Sequence, residues 1–323
     1  MSHEYNVSEN IVEAFEIAEV SLDMLNFKEI YSRIATSMPP RNSSFENLSL
    51  EDRIGCEVVC AAICHQINWD FLRDAVYKMT LDDSAWINPA SIAKITSAKV
   101  TELLASYNKP KRIRARERCS LLRSVGRSLL EMDYGYYDIF FAPNFSIKKS
   151  ENMIGTLNSS KAFSEDPEGK KTQLLLQNLS DYEEFNALRQ YCKPAIDYHI
   201  IRGFLRRGLV KPVNQKAFDF IFNPNIQRKE QTVAALRKIC SDVFDTIQWL
   251  TACDITTINT IEWWIGRSVC LKDCPDCNLK TDSAKWLKSN FDRCPFYDSC
   301  YAVQSSDKRF IDIVEPTYQG SSY

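Results

Sequence analysis

The sequence predicts a mainly α-helical, soluble globular protein, on three observations. Apolar residues recur at three- and four-residue steps through most of the chain. No alternating run is long enough for an extensive sheet, and no internal repeat is visible. The 323 residues are 45% apolar and 25% charged, with a mean hydropathy of −0.30, which suits one large core or two packed lobes and excludes a disordered or collagen-like chain.

Taken in order, residues 1–50 read as one or two helices followed by a linker containing Pro39, Pro40 and several Ser and Asn. In EDRIGCEVVCAAICHQINWDFLRDAVYKM, the residues Ile54, Val58, Ala61, Ala62, His65, Trp69 and Leu72 form the stripe of an amphipathic helix and its continuation. Asn88 can cap the next helix, with Pro89 at its first position, in NPASIAKITSAKVTELLASY. RARERCSLLRSVGRSLLEM gives a third. From about 134 to 167, Asn, Ser, Gly and Pro are scattered among aromatics, which predicts a surface loop or insertion. Helical patterns return in KKTQLLLQNL, YEEFNALRQYC, DYHIIRGFLRRGLV and KEQTVAALRKICSDVFDTIQWLTAC, and TIEWWIGRSV reads as a helix end. The tail, 303–323, reads as irregular.

Forty Lys and Arg against 42 Asp and Glu give a net charge of −2, so nucleic-acid binding requires a local patch. The run KPKRIRARER, Lys109 to Arg118, is one: it begins a helix whose N-terminal amides attract anions, although such runs are more often solvated helix faces. Neither GxGxxG nor GxxxxGK[ST] occurs, which argues against a nucleotide cofactor in a glycine-rich loop. The longest apolar stretch, Val58 to Cys64, is far too short to cross a bilayer, and the start MSHEYNVSEN lacks a signal-peptide charge pattern. A cytoplasmic protein with no membrane partner is expected.

Five of the twelve cysteines, Cys270, Cys274, Cys277, Cys294 and Cys300, crowd into residues 270–300. In a reducing compartment such a cluster points to metal rather than disulfides. Four thiolates from one short segment can hold a 4Fe–4S cluster or a zinc ion. The expected quartet is Cys270, Cys277, Cys294 and Cys300, with Cys274 as the alternative ligand. Cys56, Cys60 and Cys64, at four-residue steps, read as small core residues, and Trp263 and Trp264 as packing for the metal loop.

Three segments resemble the helix-hairpin-helix DNA glycosylases, the superfamily of endonuclease III and the 8-oxoguanine glycosylases. CEVVCAAICHQINWDFL is similar to the family's opening helix, with Gln66 at its closing glutamine. PAIDYHIIRGFLRRGL is similar to its aspartate motif, through Asp197, His199 and Arg202. IGRSVC and the cysteines resemble the start of the endonuclease III iron–sulfur loop: Cys270-x6-Cys277 and Cys294-x5-Cys300 keep the outer intervals, while the middle one grows to sixteen residues. The matches lie in the family's order over about residues 51–300. The resemblance implies a two-lobed fold with a helical domain over 51–266, a cysteine loop over 267–302, and Asp197 and CHQINWD facing a shared cleft. A weaker resemblance is to the 8-oxoguanine-glycosylase-like accessory proteins of bacterial antiphage (CBASS) loci.

The family's glycine-rich hairpin is missing, since LSDYEEFNALRQYCKPAID has no glycine. PEGKKT, with Gly169, Lys170, Lys171 and Thr172, is only faintly similar and lies further from Asp197 than the family's lysine. The resemblance thus implies a base-releasing hydrolase without a lysine nucleophile, acting on DNA, RNA or a nucleotide. Asp197 would stabilise the sugar cation. His65, Gln66, Asn68, Trp69, His199 and Arg202 would bind substrate, Trp69 by stacking and Gln66 or Asn68 by reading the base edge. Each has a plainer use: Asp197 as a helix cap, His65 and His199 as buried histidines. The rival function is a binding module that keeps the scaffold and recognises nucleic acid or protein without cleaving it.

Overall fold

The computed structural model describes residues 15–17, 24–39, 45–166, 168–226, 228 and 230–315. In chain order the helices are α1 (Met24–Ser37), α2 (Leu50–Ile63), α3 (Trp69–Asp82), α4 (Pro89–Lys94), α5 (Ser97–Leu103), α6 (Ala115–Glu131), α7 (Tyr137–Phe140) and α8 (Ser150–Asn158). They continue with α9 (Lys161–Ser164), α10 (Lys170–Leu179), α11 (Tyr198–Arg207), α12 (Gln215–Phe222), α13 (Glu230–Thr251), α14 (Ile255–Ser268) and α15 (Tyr301–Gln304). The sheet among the described residues is one antiparallel pair, β1 (Phe15–Ile17) with β2 (Val210–Pro212). The mainly helical class holds, and no described helix is long and apolar enough to cross a membrane.

The chain divides into two compact units. Arg41–Cys192 forms the middle unit; Lys193–Gln319, with the described part of Met1–Pro40, forms the split unit. The division at Cys192 falls inside the expected two-lobed 51–266 range, and α1 packs on α13 and α14.

In the middle unit α2 is the axis. Ser49 caps it by accepting from Asp52 N, and Ile54 to Ile63 are buried without interruption, Cys56 and Cys60 among them. α3, α6 and α10 pack around it. The buried Glu57 carboxylate is met by Arg73 Nη1 at 2.6 and 2.7 Å and by the Tyr182 hydroxyl at 2.9 Å. The helix predicted from Asn88 starts as expected, with Asn88 accepting from Ser91 N, but ends at Lys94; Thr96 caps a new helix by accepting from Lys99 N. The 134–167 segment is not a surface loop. Its short helices bury Phe140, Met153, Leu157 and Phe163, since the scattered aromatics fill the core between polar turns. YEEFNALRQYC is a 3₁₀ segment, Glu183–Tyr191.

In the split unit α11 lies across α14, and the crossing requires a glycine: a Cβ on Gly266 would stand 2.7 Å from the His199 carbonyl oxygen. Buried Glu262 of α14 accepts from Arg207 and from the hydroxyl of Tyr31 on α1. The tail is more ordered than expected as far as Glu315: Phe310 and Ile313 are buried and Val314 N donates to Ile221 O. Residues 316–323 lie outside the described part.

Candidate functional site

Asp197 stands at the start of α11. Ala195 N donates to Asn259 Oδ1 at 2.7 Å, tying the PAID turn to α14, and extended backbone at Asp197 turns its side chain back over the helix. Oδ1 accepts from His199 N at 2.9 Å and Ile200 N at 3.1 Å. Asp197 is therefore a helix cap, but with one oxygen only. Among the described residues Oδ2 accepts no hydrogen bond, and the residue as a whole is buried, 7% exposed. The result is a carboxylate held by two amides through one of its oxygens.

His199 follows, its ring 4.2 Å from that of Tyr198. Its Nδ1 lies 3.0 Å from Arg202 Nη2, and since a guanidinium only donates, Nδ1 accepts and Nε2 carries the proton. Burial holds the His199 pKa below the ordinary range; Asp197 opposes this, while Arg202 and Arg267 add to it. The group is a neutral imidazole.

Arg202 corrects an expectation. It is 1% exposed, and its donors go to Cys270 O at 2.8 Å, Gly266 O at 2.6 Å, His199 Nδ1 and the Glu315 carboxylate. These bonds use four of its five N–H donors and lock α11 to α14 and the cysteine loop. Arg206, one turn on, does similar work, donating to Leu271 O, Lys272 O and Ile311 O at 2.5 to 2.6 Å.

The cysteine loop is folded around Asp276, which accepts from Lys280 N, Thr281 N and Thr281 Oγ1, and Cys294 N donates to Cys277 O at 2.8 Å. Trp264 packs 5.9 Å from Trp286 of the loop, as its expected packing role requires. Cys270, Cys277, Cys294 and Cys300 are near enough to act on one another electrically. The Cys277 thiol is pushed up to about 11 by burial and then by Cys300 and Cys270; burial, then Cys270 and the other two thiols, also raises Cys294. Cys274 is exposed and is not among these mutual influences. A zinc ion with Zn–S bonds of about 2.3 Å needs sulfurs roughly 3.8 Å apart. Among the described residues no three His, Cys, Asp or Glu groups are gathered closely enough for a bare ion. Arg206 Nη1 lies 3.5 Å from Cys270 Sγ.

The CHQINWD residues belong to the middle unit, and Asp197 to the split unit. Asn68 caps α3, accepting from Phe71 N at 3.0 Å. Trp69 is half-buried with the Arg73 guanidinium 5.6 Å from its ring centre. Gln66 is exposed, in a left-handed conformation (φ 58°). His65 is 2% exposed, and its pKa is lowered to about 2 by burial and by Arg118, Lys171, Arg114 and Lys170. Of the four expected substrate-binding residues here, Asn68 caps a helix and Trp69 lies by Arg73, while neither Gln66 nor the His65 ring makes a side-chain hydrogen bond among the described residues.

Sequence reasoning missed the role of two buried cations. Lys171 is 1% exposed and its Nζ donates to Ala62 O and Ala162 O at 3.0 and 3.1 Å; Arg118 donates to Ile63 O and His65 O. Both answer the carbonyls at the end of α2, where the helix dipole is negative. A signal existed, since KKT and RER each place a cation at the start of a helix. Only the fold shows that they point inward to α2. Comparison of the chain with protein-family models and with curated proteins returns no match.

Proposed function

We propose that this chain is an N-glycosylase-like hydrolase in which Asp197 assists departure of a base from its sugar and no lysine acts as nucleophile. The observation that supports the reading is the half-engaged carboxylate: two α11 amides fix Oδ1, while Oδ2 accepts no hydrogen bond among the described residues. As the N-glycosidic bond stretches, positive charge grows on the sugar. A carboxylate about 4 Å away at an effective dielectric of 20 stabilises it by about 4 kcal/mol, roughly a thousandfold in rate. Oδ2 can equally accept a proton from an attacking water. Lys171, buried against two carbonyls, supports the reading without a Schiff base.

Cys270, Cys277, Cys294 and Cys300 would hold a 4Fe–4S cluster, whose contribution is structural, fastening the loop that Arg202 and Arg206 join to α11. Purified under anaerobic conditions, the protein is expected to be brown; Ser at any of the four positions removes the colour, and Cys274→Ser retains it. Colourless protein carrying one equivalent of zinc overturns this assignment.

The catalytic reading is tested by incubating the protein with nucleosides and with oligonucleotides bearing modified bases, and measuring free base by chromatography. Release is expected from at least one substrate and falls by roughly a thousandfold in Asp197→Asn, whose helix cap survives. The competing reading is a binding module, favoured by the structural duties of Arg202, Asn68 and Trp69. No base released from any substrate, with nucleic-acid affinity equal in wild type and Asp197→Asn, selects it.

A further inference from the structure

We infer that the start of α6 and the chain leading into it form a binding surface for the phosphate backbone of a nucleic-acid strand. Lys109 to Arg118 contains six cations and one carboxylate, in a protein whose net charge is −2. The structure separates these cations by use. Arg118 is fully buried on α2, and Arg114 pairs with Glu117 at 2.6 Å. Lys109, Lys111, Arg112 and Arg116 are exposed, and among the described residues their side chains have neither hydrogen bonds nor ion pairs. Four free cations follow one another over eight residues, more charge than a single phosphate requires and suited to a repeating polyanion.

Two further features sit at the same place. α6 has seventeen residues and no side chain caps its first turn, so the positive end of its dipole lies among these cations without a capping side chain. Beside that turn lies His65, only 2% exposed, with neither ring nitrogen hydrogen-bonded. Its Nε2 stands 3.2 Å from the carboxylate of Glu117, in the first turn of α6, without the alignment of a hydrogen bond. The helix start thus holds unused hydrogen-bonding capacity inside as well as unused charge outside.

A lipid surface fits less well. A membrane-binding segment places apolar side chains outward among its cations. Here Ile113 and Ala115, the apolar residues between the cations, pack against the core of the middle unit. The inference goes beyond the catalytic reading and stands whether or not Asp197 cleaves anything.

The test is fluorescence anisotropy with a labelled single-stranded oligonucleotide across a series of salt concentrations. Wild type is compared with Asp197→Asn and with a fourfold variant, Lys109→Ala, Lys111→Ala, Arg112→Ala and Arg116→Ala. All four residues are exposed, so the variant is expected to fold, which thermal melting checks. Binding is expected to weaken at least ~10-fold in about 0.1 M salt, and the slope of log affinity against log salt to fall by about 3, at ~0.7 for each phosphate no longer neutralised. Asp197→Asn binds as wild type. The inference is overturned if wild type does not bind the strand or if the fourfold variant keeps both affinity and slope. It is equally overturned if the four cations govern binding to phosphatidylserine vesicles, or to inorganic pyrophosphate, while the oligonucleotide is ignored. Intact strand binding by a wild type that releases base from no substrate counts against the catalytic reading alone.

Discussion

His65 carries an unusual burden for one side chain. Sealed among Arg114, Arg118, Lys170 and Lys171, with Glu117 the one facing carboxylate, it stays neutral in the folded protein down to about pH 2. The unfolded chain protonates it near pH 6.5. Below that pH the unfolded state binds the extra proton, so stability falls with falling pH by up to about 1.4 kcal/mol per unit, and the loss is absent above pH 7. Urea denaturation at pH 7.0 and 5.5 is expected to show wild type losing about 1 kcal/mol more than His65→Gln between the two. Equal losses in the two proteins would remove the assignment. The neutral state is not readable from the sequence, where His65 is simply one polar residue in CHQINWD; its partners come from residues 114–118 and 170–171 and meet it only in the folded unit.

At the scale of elements, what was legible was what local chemistry decides. The cap at Asn88, the stripe of α2, and the spans of α6, α10 and α13 follow from periodicity and capping residues that neighbours do not override. The short helices of 137–164 were not legible, because four to nine residues are too few to establish a period, and neither was the break at Ile95, which only Thr96 marks. At the candidate site, Asp197 and the cysteine quartet stood out by motif and spacing, whereas the occupations of Arg202 and Asn68 depend on backbone groups brought in by folding. Close crossings are a further case. A Cβ on Gly126 would stand 2.4 Å from Ala93 N, where α6 crosses α4, and Gly266 serves the same purpose between α11 and α14. Alanine in an open helix gains about 1 kcal/mol over glycine. At these two positions the sign reverses: Gly126→Ala and Gly266→Ala are each expected to destabilise by about 1–3 kcal/mol in chemical denaturation. A gain at either position would show that the helices can part.

Across the whole molecule, the two units repeat one device. Each buries a glutamate on a central helix and meets it with an arginine and a tyrosine: Glu57 with Arg73 and Tyr182, Glu262 with Arg207 and Tyr31. In each the guanidinium also lies over a phenylalanine, Arg73 4.5 Å from Phe45 and Arg207 4.3 Å from Phe296. Removing one partner strands a buried charge, which costs about 3–5 kcal/mol. Glu57→Gln is expected to lose amide hydrogen-exchange protection in the middle unit, and Glu262→Gln in the split unit. Loss spread evenly over both units in either variant would refute this local balancing of charge.

α11 also links two kinds of chemistry along a single rod about 15 Å long. Asp197 is at one end; Arg202 and Arg206 grip the thiol-bearing loop further along. Because both arginines hold backbone carbonyls of the loop, a displacement of the loop's main chain would bear directly on the helix that Asp197 caps.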